Sequence, residues 1–333
     1  MQRATGFMSP AGRLLTVVVL CTVSAVYGDH WNYEAEEKWP EKCLRGQHQS
    51  PINLQRDTAE QRIFTDLQFK NYDTKYMTSI TNNGHSVALK LLDARPAPSV
   101  KGGGLPHQYV VDHLHFHWES EHTIHSNRFP LELHIVHYAN IFNSTRAALG
   151  YDQGLAVLGV LFDISKHDNP AFEPLIEMLD DVKKVPGKSE HLNDAISISS
   201  FMPKNTESFF RYEGSLTTPG CDEVVVWTVF YQSSYISKRQ MEYFSAIWSP
   251  DGVLKANYRS LQKLNDRVIT YRAGSYSGSA KFTHSSQTTQ LTQRQWMIVF
   301  CFSRYAVALK RLDARSAPSV KGGGLPHQYV VDH

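Results

Sequence analysis

Two histidines, His115 and His117, stand two positions apart in Leu114–Trp118, a run that alternates apolar and polar residues. Because successive side chains of a β-strand point to opposite faces, both imidazoles lie on one face. Phe116 and Trp118 lie on the other face. The sequence therefore predicts a strand that presents two imidazole rings on the same side.

A second predicted strand carries His134, and the polar stretch that contains Glu121 and His122 separates it from the first. If that stretch turns the chain back, the two strands pair antiparallel and His134 faces the first two imidazoles. Glu132 shares the face of His134 by strand parity. His137 falls on the opposite face, as a core or surface residue.

Three neutral imidazoles on rigid strands suit Zn²⁺, and without a fourth protein ligand one tetrahedral position stays open for water. Zinc lowers the pKa of its water to about 7, so hydroxide becomes available at neutral pH. Taken singly, a histidine on a strand is more often a core or surface residue than a ligand. The third histidine and the same-face Glu132 favour a catalytic zinc site over that alternative.

Other period-two runs predict a fold whose core is carried by a sheet. Helical patterns are fewer and short: Pro170–Val182, opened by Asn169 as a cap, and Ser237–Ile247. The predicted strands are Ser86–Leu92, Tyr109–Trp118, Leu131–Tyr138, Leu155–Ile164 and Val224–Tyr231.

Residues 1–28 have the layout of a secretory signal peptide, with Arg3 and Arg13 before the apolar run Leu14–Val26 and a small residue at Gly28. A membrane span needs about 20 apolar residues, so a retained anchor is the less favoured alternative. We expect a secreted protein whose mature form has no transmembrane span.

The folded unit is predicted to cover residues 29–272, followed by a low-complexity or disordered linker over 273–306. Residues 307–333 repeat residues 87–113 with only two changes, Arg311 for Leu91 and Ser316 for Pro96. The copy ends at His333, the counterpart of His113, so it cannot build a second metal site. A partial duplication or gene-model error and a real extension both stay open.

Removal of the signal peptide would remove Cys21 and leave Cys43, Cys221 and Cys301. An oxidising compartment then allows one disulfide. We favour Cys43 with Cys221, because both lie in the predicted folded unit. The use of the one glycosylation sequon, at Asn143, is left open.

The charge balance excludes some partners. The formal net charge is +2 with histidines neutral, and 41% of the residues are hydrophobic. Such a chain has no field strong enough to gather nucleic acid. A small neutral substrate is the better expectation.

The histidine-bearing strands, together with several other motifs, resemble those of the α-class carbonic anhydrases of the secreted type. The resemblance extends over about Asp29 to Arg272. The resemblance covers several separated motifs in the order of that family. They are Trp31-Asn32-Tyr33, Gln49-Ser50-Pro51-Ile52-Asn53, Asn82-Asn83-Gly84-His85, His115-Phe116-His117-Trp118, Ser120-Glu121-His122-Thr123, Glu132-Leu133-His134 and Ser215-Leu216-Thr217-Thr218-Pro219.

The resemblance implies an α+β, mostly β fold: a single domain with a large, mainly antiparallel twisted central sheet and short peripheral helices. It implies a zinc lyase, a carbonate dehydratase that converts carbon dioxide reversibly to bicarbonate and a proton by zinc-bound hydroxide. Sulfonamide-type inhibitors are expected to bind. The oligomeric state is left open.

Residue by residue, the resemblance implies that Thr217 accepts a hydrogen bond from zinc-bound hydroxide and donates its own proton to Glu121. His85 corresponds to a proton shuttle, and its unperturbed pKa near 6.5 suits that role. Tyr33 and Asn83 would order the water chain to the shuttle. Without the resemblance, Thr217 and Glu121 are read as ordinary loop residues.

Three residues would support the ligands from behind: Glu132, His122 and His113, which stands where the family often has glutamine. His113 would accept a hydrogen bond from the second ring nitrogen of His115. The departure at Ala88 replaces a polar group of the cavity wall. The family disulfide matches Cys43 and Cys221, and the substrate pocket would be lined by Val136, Val157, Leu216, Thr218, Val225 and Trp227.

Overall fold

The computed structural model of the protein describes residues 30–274. The predicted signal peptide, the predicted linker beyond residue 274 and the partial repeat lie outside the described residues. Within the described part of the chain, no helix is both long and apolar enough to cross a bilayer.

Strands dominate residues 30–274, and most of them are short. Their bounds follow in chain order: β1 Asn53–Leu54, β2 Glu60–Gln61, β3 Leu67–Lys70, β4 Thr78–Asn82, β5 Val87–Leu91, β6 Ser99–Gly102, β7 Tyr109–Trp118, β8 Thr123–Ile124, β9 Asn127–Arg128, β10 Leu131–Ala139, β11 Leu155–Ser165, β12 Ser189–His191, β13 Phe209–Gly214, β14 Val225–Phe230, β15 Ser234–Ser237, β16 Trp248–Ser249, β17 Gly252–Val253 and β18 Thr270–Arg272.

The helices are few and lie at the periphery. The α-helices are α1 Glu41–Arg45, α2 Thr145–Ala148, α3 Glu173–Val182 and α4 Lys238–Phe244. Short 3-10 helices cover Tyr33–Lys38, Pro170–Phe172 and Ile198–Phe201.

Thirteen of the strands described form one mixed sheet, whose main path runs β12-β4-β5-β7-β10-β11-β14-β13-β18-β2. Pairing is antiparallel from β12 through to β11, and β11 pairs parallel with β14. The predicted mostly β domain with a large twisted sheet and short helices is confirmed.

The predicted strands coincide closely with the observed ones, because each pattern covers a strand buried at least on one face. β7 has the predicted bounds, and β10 and β11 each extend one residue further. The first predicted helix starts as the 3-10 turn, where the Asn169 side chain accepts from Ala171 N, and continues as α3. Ser237 caps α4 with a reciprocal bond to Gln240, and the helix ends three residues before Ile247.

The register of β7 against β10 brings the histidines together. His115 lies opposite His134, and His117 lies opposite Glu132. The hairpin between them turns through His125 and Ser126, both with positive φ. A register shift follows Val136, so the pairing beyond it is out of step with the pairing of the ends that carry the imidazoles.

The two faces of the sheet pack into different cores. Phe116 and Leu133, which point away from the imidazoles, belong to the core beneath α3 and α4. Val136 and Trp227 belong to a second buried cluster, on the face of the imidazoles. Rigid packing on both sides therefore holds β7 and β10 in place.

Candidate metal centre

Three imidazoles converge on one face of β7 and β10. His134 Nδ1 lies 3.3 Å from His115 Nε2, and the ring centroids of His117 and His134 are 4.5 Å apart. One ligand atom from each of the three rings lies within 4.8 Å of the others. The structure thus brings together the three histidines that the sequence pattern selects.

Hydrogen bonds behind two of the rings determine which nitrogen of His117 and of His134 carries a proton. His117 Nδ1 lies 2.6 Å from the Asn257 carbonyl oxygen, and His134 Nε2 lies 2.8 Å from Glu132 Oε1. Carbonyl and carboxylate oxygens only accept, so these two nitrogens are the donors. The lone pairs of His117 Nε2 and His134 Nδ1 are therefore directed at the common point between the rings.

Burial keeps the first two rings neutral. It lowers the pKa of His115 well below the ordinary value, and the neighbouring His117 and His134 add to this. Burial also lowers the pKa of His117, although the nearby Glu121 carboxylate opposes the shift. Neutral imidazole is the form that binds a metal ion.

Glu132 is buried and joins two rings. Its Oε1 accepts from His134 Nε2 and, at 2.7 Å, from His122 Nδ1, while its Oε2 accepts from His122 N at 2.8 Å. Burial alone would raise the Glu132 pKa, but His122 and His134 outweigh it and hold that pKa well below its usual range. The carboxylate stays ionised and orients both rings.

Glu121 is fully buried beside the imidazoles. Its Oε1 accepts from Arg259 N at 2.9 Å, whereas its Oε2 has no hydrogen-bond partner among residues 30–274. That oxygen lies 3.6 Å from His117 Nε2. Thr217 is also buried, and no hydrogen bond between it and Glu121 is present in the described structure. A buried anion of this kind favours a cation or a proton donor beside it.

His85 lies in the turn between β4 and β5. Its ring stacks on Trp31, with centroids 3.7 Å apart and planes 9° apart. Burial lowers the His85 pKa, the charge of His30 lowers it further, and Asp251 opposes them. The stack on Trp31 holds the ring in one orientation, and the lowered pKa favours its neutral form.

Asn83 and Tyr33, the other two residues predicted to act with His85, have different environments. Asn83 Oδ1 accepts from His85 N and Ser86 N, and its Nδ2 donates to Ser86 Oγ at 3.0 Å, so the amide shapes the turn. The Tyr33 hydroxyl is buried without a partner among the described residues. Burial and then Glu121 raise the Tyr33 pKa well above its ordinary value, so it stays a donor.

The predicted substrate wall is one apolar cluster. Trp227 packs edge-on against His134, with centroids 4.8 Å apart, and its Nε1 donates to Ser215 O. Thr218 is half-buried, and its carbonyl accepts from Cys221 N at 3.0 Å. The buried members of the cluster are Val136, Val157, Val225 and Trp227, with Leu216 packed against them.

His113 makes a different contact from the predicted one. Its Nδ1 bonds Asp112 Oδ2 at 2.7 Å, and its ring stacks on His115 with centroids 5.2 Å apart. His115 Nδ1 has no hydrogen-bond partner within the described residues. The register shift leaves Asp112 unpaired with β10, where its carboxylate captures the His113 ring.

The predicted disulfide is present. Cys43 and Cys221 are bonded across 178 positions, and both are buried. Cys221 lies four residues after Thr217, in the loop whose Thr218 carbonyl accepts from Cys221 N. The bond therefore attaches α1 to the loop that carries Thr217.

Sequence reasoning missed Asn257 and Tyr212. Asn257 accepts from His117 through its carbonyl and from Trp118 N through Oδ1, and its Nδ2 donates to His85 O. Tyr212 places its hydroxyl 2.6 Å from His122 Nε2. Asn257 stands in an irregular segment without periodicity, so no pattern marks it. For Tyr212, the alternation of faces along β13 is the one sequence signal that could have placed its side chain on the face of the imidazoles.

The donor set fits a tetrahedral zinc ion. Zn–N bonds of about 2.0–2.1 Å at tetrahedral angles separate two nitrogens by about 3.3 Å. The His115 Nε2 to His134 Nδ1 distance is 3.3 Å. The buried His117 Nε2 without a partner supplies the third donor.

Comparison with known proteins agrees with this geometry. The eukaryotic-type carbonic anhydrase family matches residues 28–273. Carbonic anhydrase 4 of Oryctolagus cuniculus is 35% identical over 262 residues, which cover 72% of this chain and 83% of the relative. Carbonic anhydrase 12 of Homo sapiens is 33% identical over 288 residues, which cover 78% of each chain.

Proposed function

Because the chain belongs to the eukaryotic-type carbonic anhydrases and is a carbonate dehydratase, we propose that His115, His117 and His134 hold its zinc ion. The convergence of three imidazoles, with His117 Nε2 buried and unpartnered, is the observation that carries this proposal. Zinc bound there would lower the pKa of its water to about 7 and supply hydroxide at neutral pH.

The chain's own residues would prepare this site before any metal binds. Glu132 and Asn257 hold His134 and His117 in the tautomers whose lone pairs face inward. Glu132 is itself held by His122, which adjoins the Tyr212 hydroxyl. The rings therefore need little rearrangement on binding, which raises metal affinity.

Thr217 and Glu121 would direct the attacking oxygen. A rotation of the Thr217 hydroxyl toward the unpartnered Glu121 Oε2 would satisfy that buried oxygen. Thr217 is then a donor to Glu121 and an acceptor toward the attacking oxygen. An oxygen that donates to Thr217 has its lone pair free for carbon dioxide, which the Val136 and Trp227 wall would hold.

His85 would carry away the proton that each hydration releases. Its lowered pKa keeps the ring neutral, and so able to accept, through the neutral pH range. Tyr33 and the turn formed by Asn83 would order the water between the metal site and His85. The stack on Trp31 fixes the direction of the ring.

We also propose that the mature protein is secreted after removal of residues 1–28. The Cys43–Cys221 bond supports this, because disulfides persist in oxidising compartments. Sulfonamides would bind at the same metal site. Carbon dioxide and bicarbonate are the small-molecule partners.

Stopped-flow carbon dioxide hydration on the purified protein tests the proposal, with and without a zinc chelator and an aromatic sulfonamide. We expect activity that the chelator removes, that added zinc restores and that the sulfonamide inhibits. Protein that binds one zinc ion and does not hydrate carbon dioxide would contradict it.

His85→Ala tests the relay separately. It should slow turnover in weak buffer by about 10-fold or more, since general acid-base groups contribute at least that factor. Added imidazole should restore the rate. Exposed His167 provides a control, because His167→Ala should change neither the rate nor the response to imidazole. A His85→Ala protein that imidazole does not rescue would reduce His85 to a loop residue.

A further inference from the structure

Arg211, on β13, is a buried cation without a carboxylate partner among residues 30–274. The residue is 7% exposed, and its Nε donates to Thr228 Oγ1 at 3.1 Å. Its Nη2 has no hydrogen-bond partner in the described part of the chain. Burial lowers the Arg211 pKa to about 10. A buried charge without a counterion destabilises the folded state, so a ligand that supplies one would be favoured.

A cavity of about 480 Å³ opens beside this guanidinium. That volume is within the range of small-molecule sites, roughly 300–1,000 Å³. Arg211 Cζ lies 5.7 Å from the Phe64 ring centroid and 5.3 Å from that of Phe209, so aromatic rings flank it. The charged groups that line the cavity are Arg62, Arg211, Arg267, Glu213 and Asp266, together with His48.

The other guanidinium groups of the cavity are already engaged. Arg267 donates to the carbonyl oxygens of Leu264, Glu213 and Lys263, and exposed Arg62 pairs with Glu60. Glu213 Oε1 accepts from Gln153. Within the described structure, Arg211 is therefore the cavity arginine with an unused buried donor.

The Arg211 side chain and the imidazole cluster lie on opposite faces of the sheet. Tyr212 points toward His122, 2.6 Å away, on the metal side. Neighbouring residues of a strand point to opposite faces, so Arg211 and Glu213 point the other way. An occupant of the cavity is thus separate from any ligand of the metal.

We propose that this cavity binds a small oxyanion of the carboxylate or phosphate type beside the Arg211 guanidinium. A guanidinium forms strong, charge-assisted hydrogen bonds to such an oxyanion. Arg267 and Arg62 add positive potential around it, while Phe64 and Phe209 keep the guanidinium plane in place. The occupant supplies the negative charge that Arg211 lacks.

The test is isothermal titration of the full chain with inorganic phosphate and, in a second arm, citrate. An aromatic sulfonamide in excess occupies the metal site, and chloride keeps the ionic strength constant. We expect one site per chain for one or both anions, and at least a tenfold weaker Kd in Arg211→Met. Arg146→Gln, which removes an exposed arginine from α2, should keep the wild-type Kd.

Thermal unfolding gives an independent readout. Arg211→Met should unfold at the same temperature as the wild type or higher in chloride, because it removes an unpaired buried charge. The bound anion should raise the wild-type Tm more than that of Arg211→Met. Equal anion affinity in the wild type and Arg211→Met, or no binding of either anion, would overturn the proposal. If Arg211→Met does not fold, Arg211→Lys decides: weaker binding supports the contact with the guanidinium, and unchanged binding refutes it.

Discussion

His134 and His137 lie three residues apart on β10, and both are buried, yet their nitrogens are used differently. The Tyr72 hydroxyl donates to His137 Nε2 at 2.5 Å, and His137 Nδ1 bonds the Ala156 carbonyl at 3.1 Å. His134 bonds Glu132 through one nitrogen, and its other nitrogen lies 3.3 Å from His115 Nε2 in the imidazole cluster. Burial alone thus does not distinguish a structural histidine from a proposed ligand. The hydrogen-bond partners of the two ring nitrogens do distinguish them.

The largest difference is expected when each histidine is removed in turn. His134→Ala should lower carbon dioxide hydration more than about a thousandfold, because a catalytic metal contributes several kcal/mol to the transition state. His137→Phe should retain activity within a few-fold, since its ring faces the other core. Stopped-flow hydration measures both. Equal loss in the two variants would remove the distinction.

Acid should reveal the structural histidine. Burial lowers the His137 pKa to about 4, whereas the unfolded chain titrates near 6.5. The unfolded state then binds more protons between these values, so stability falls as the pH drops from 6.5 to 4, by about 3 kcal/mol from this residue.

Urea unfolding between pH 7 and pH 4 measures that loss. The double variant Tyr72→Phe/His137→Phe removes both side chains of the Tyr72–His137 hydrogen bond and should lose less stability over this interval than the wild type. The same pH dependence in both proteins would show that His137 does not carry the effect.

The carboxylate behind His134 should matter less than the ligand itself. Glu132→Gln should weaken zinc binding about 10- to 100-fold, because it replaces the charged acceptor shared by His134 and His122. Competition with a chromophoric chelator measures the affinity. Glu119→Gln makes the same chemical change at an exposed position directly after β7. It is the control and should bind zinc as the wild type does.

The smallest predicted effect concerns a third histidine environment, the half-buried His85. The charge of His30 contributes to its lowered pKa, so His30→Gln should raise that pKa. The acidic limb of the turnover profile should then move to higher pH, because His85 accepts protons only when neutral. A pH series of hydration rates detects the shift, and a shift to lower pH would contradict the assignment.

Strand parity was enough to predict the imidazole cluster, since His115, His117 and His134 stand on regular, paired strands. It could not predict the contact of His113, because the register shift near Asp112 breaks the alternation on which parity depends. It also could not find Asn257, which contacts β7 and the turn between β4 and β5 from an irregular segment. Side chains that act through loops need the tertiary structure.

Zinc stoichiometry tests the difference between the two histidines of β10 most directly. Metal-free protein titrated with zinc against a chromophoric chelator should bind one zinc ion tightly per chain, and His137→Phe should do the same. His134→Ala should lose that tight site. Tight binding by His134→Ala equal to that of the wild type, or no zinc binding by the wild type, would contradict the assignment of the three imidazoles.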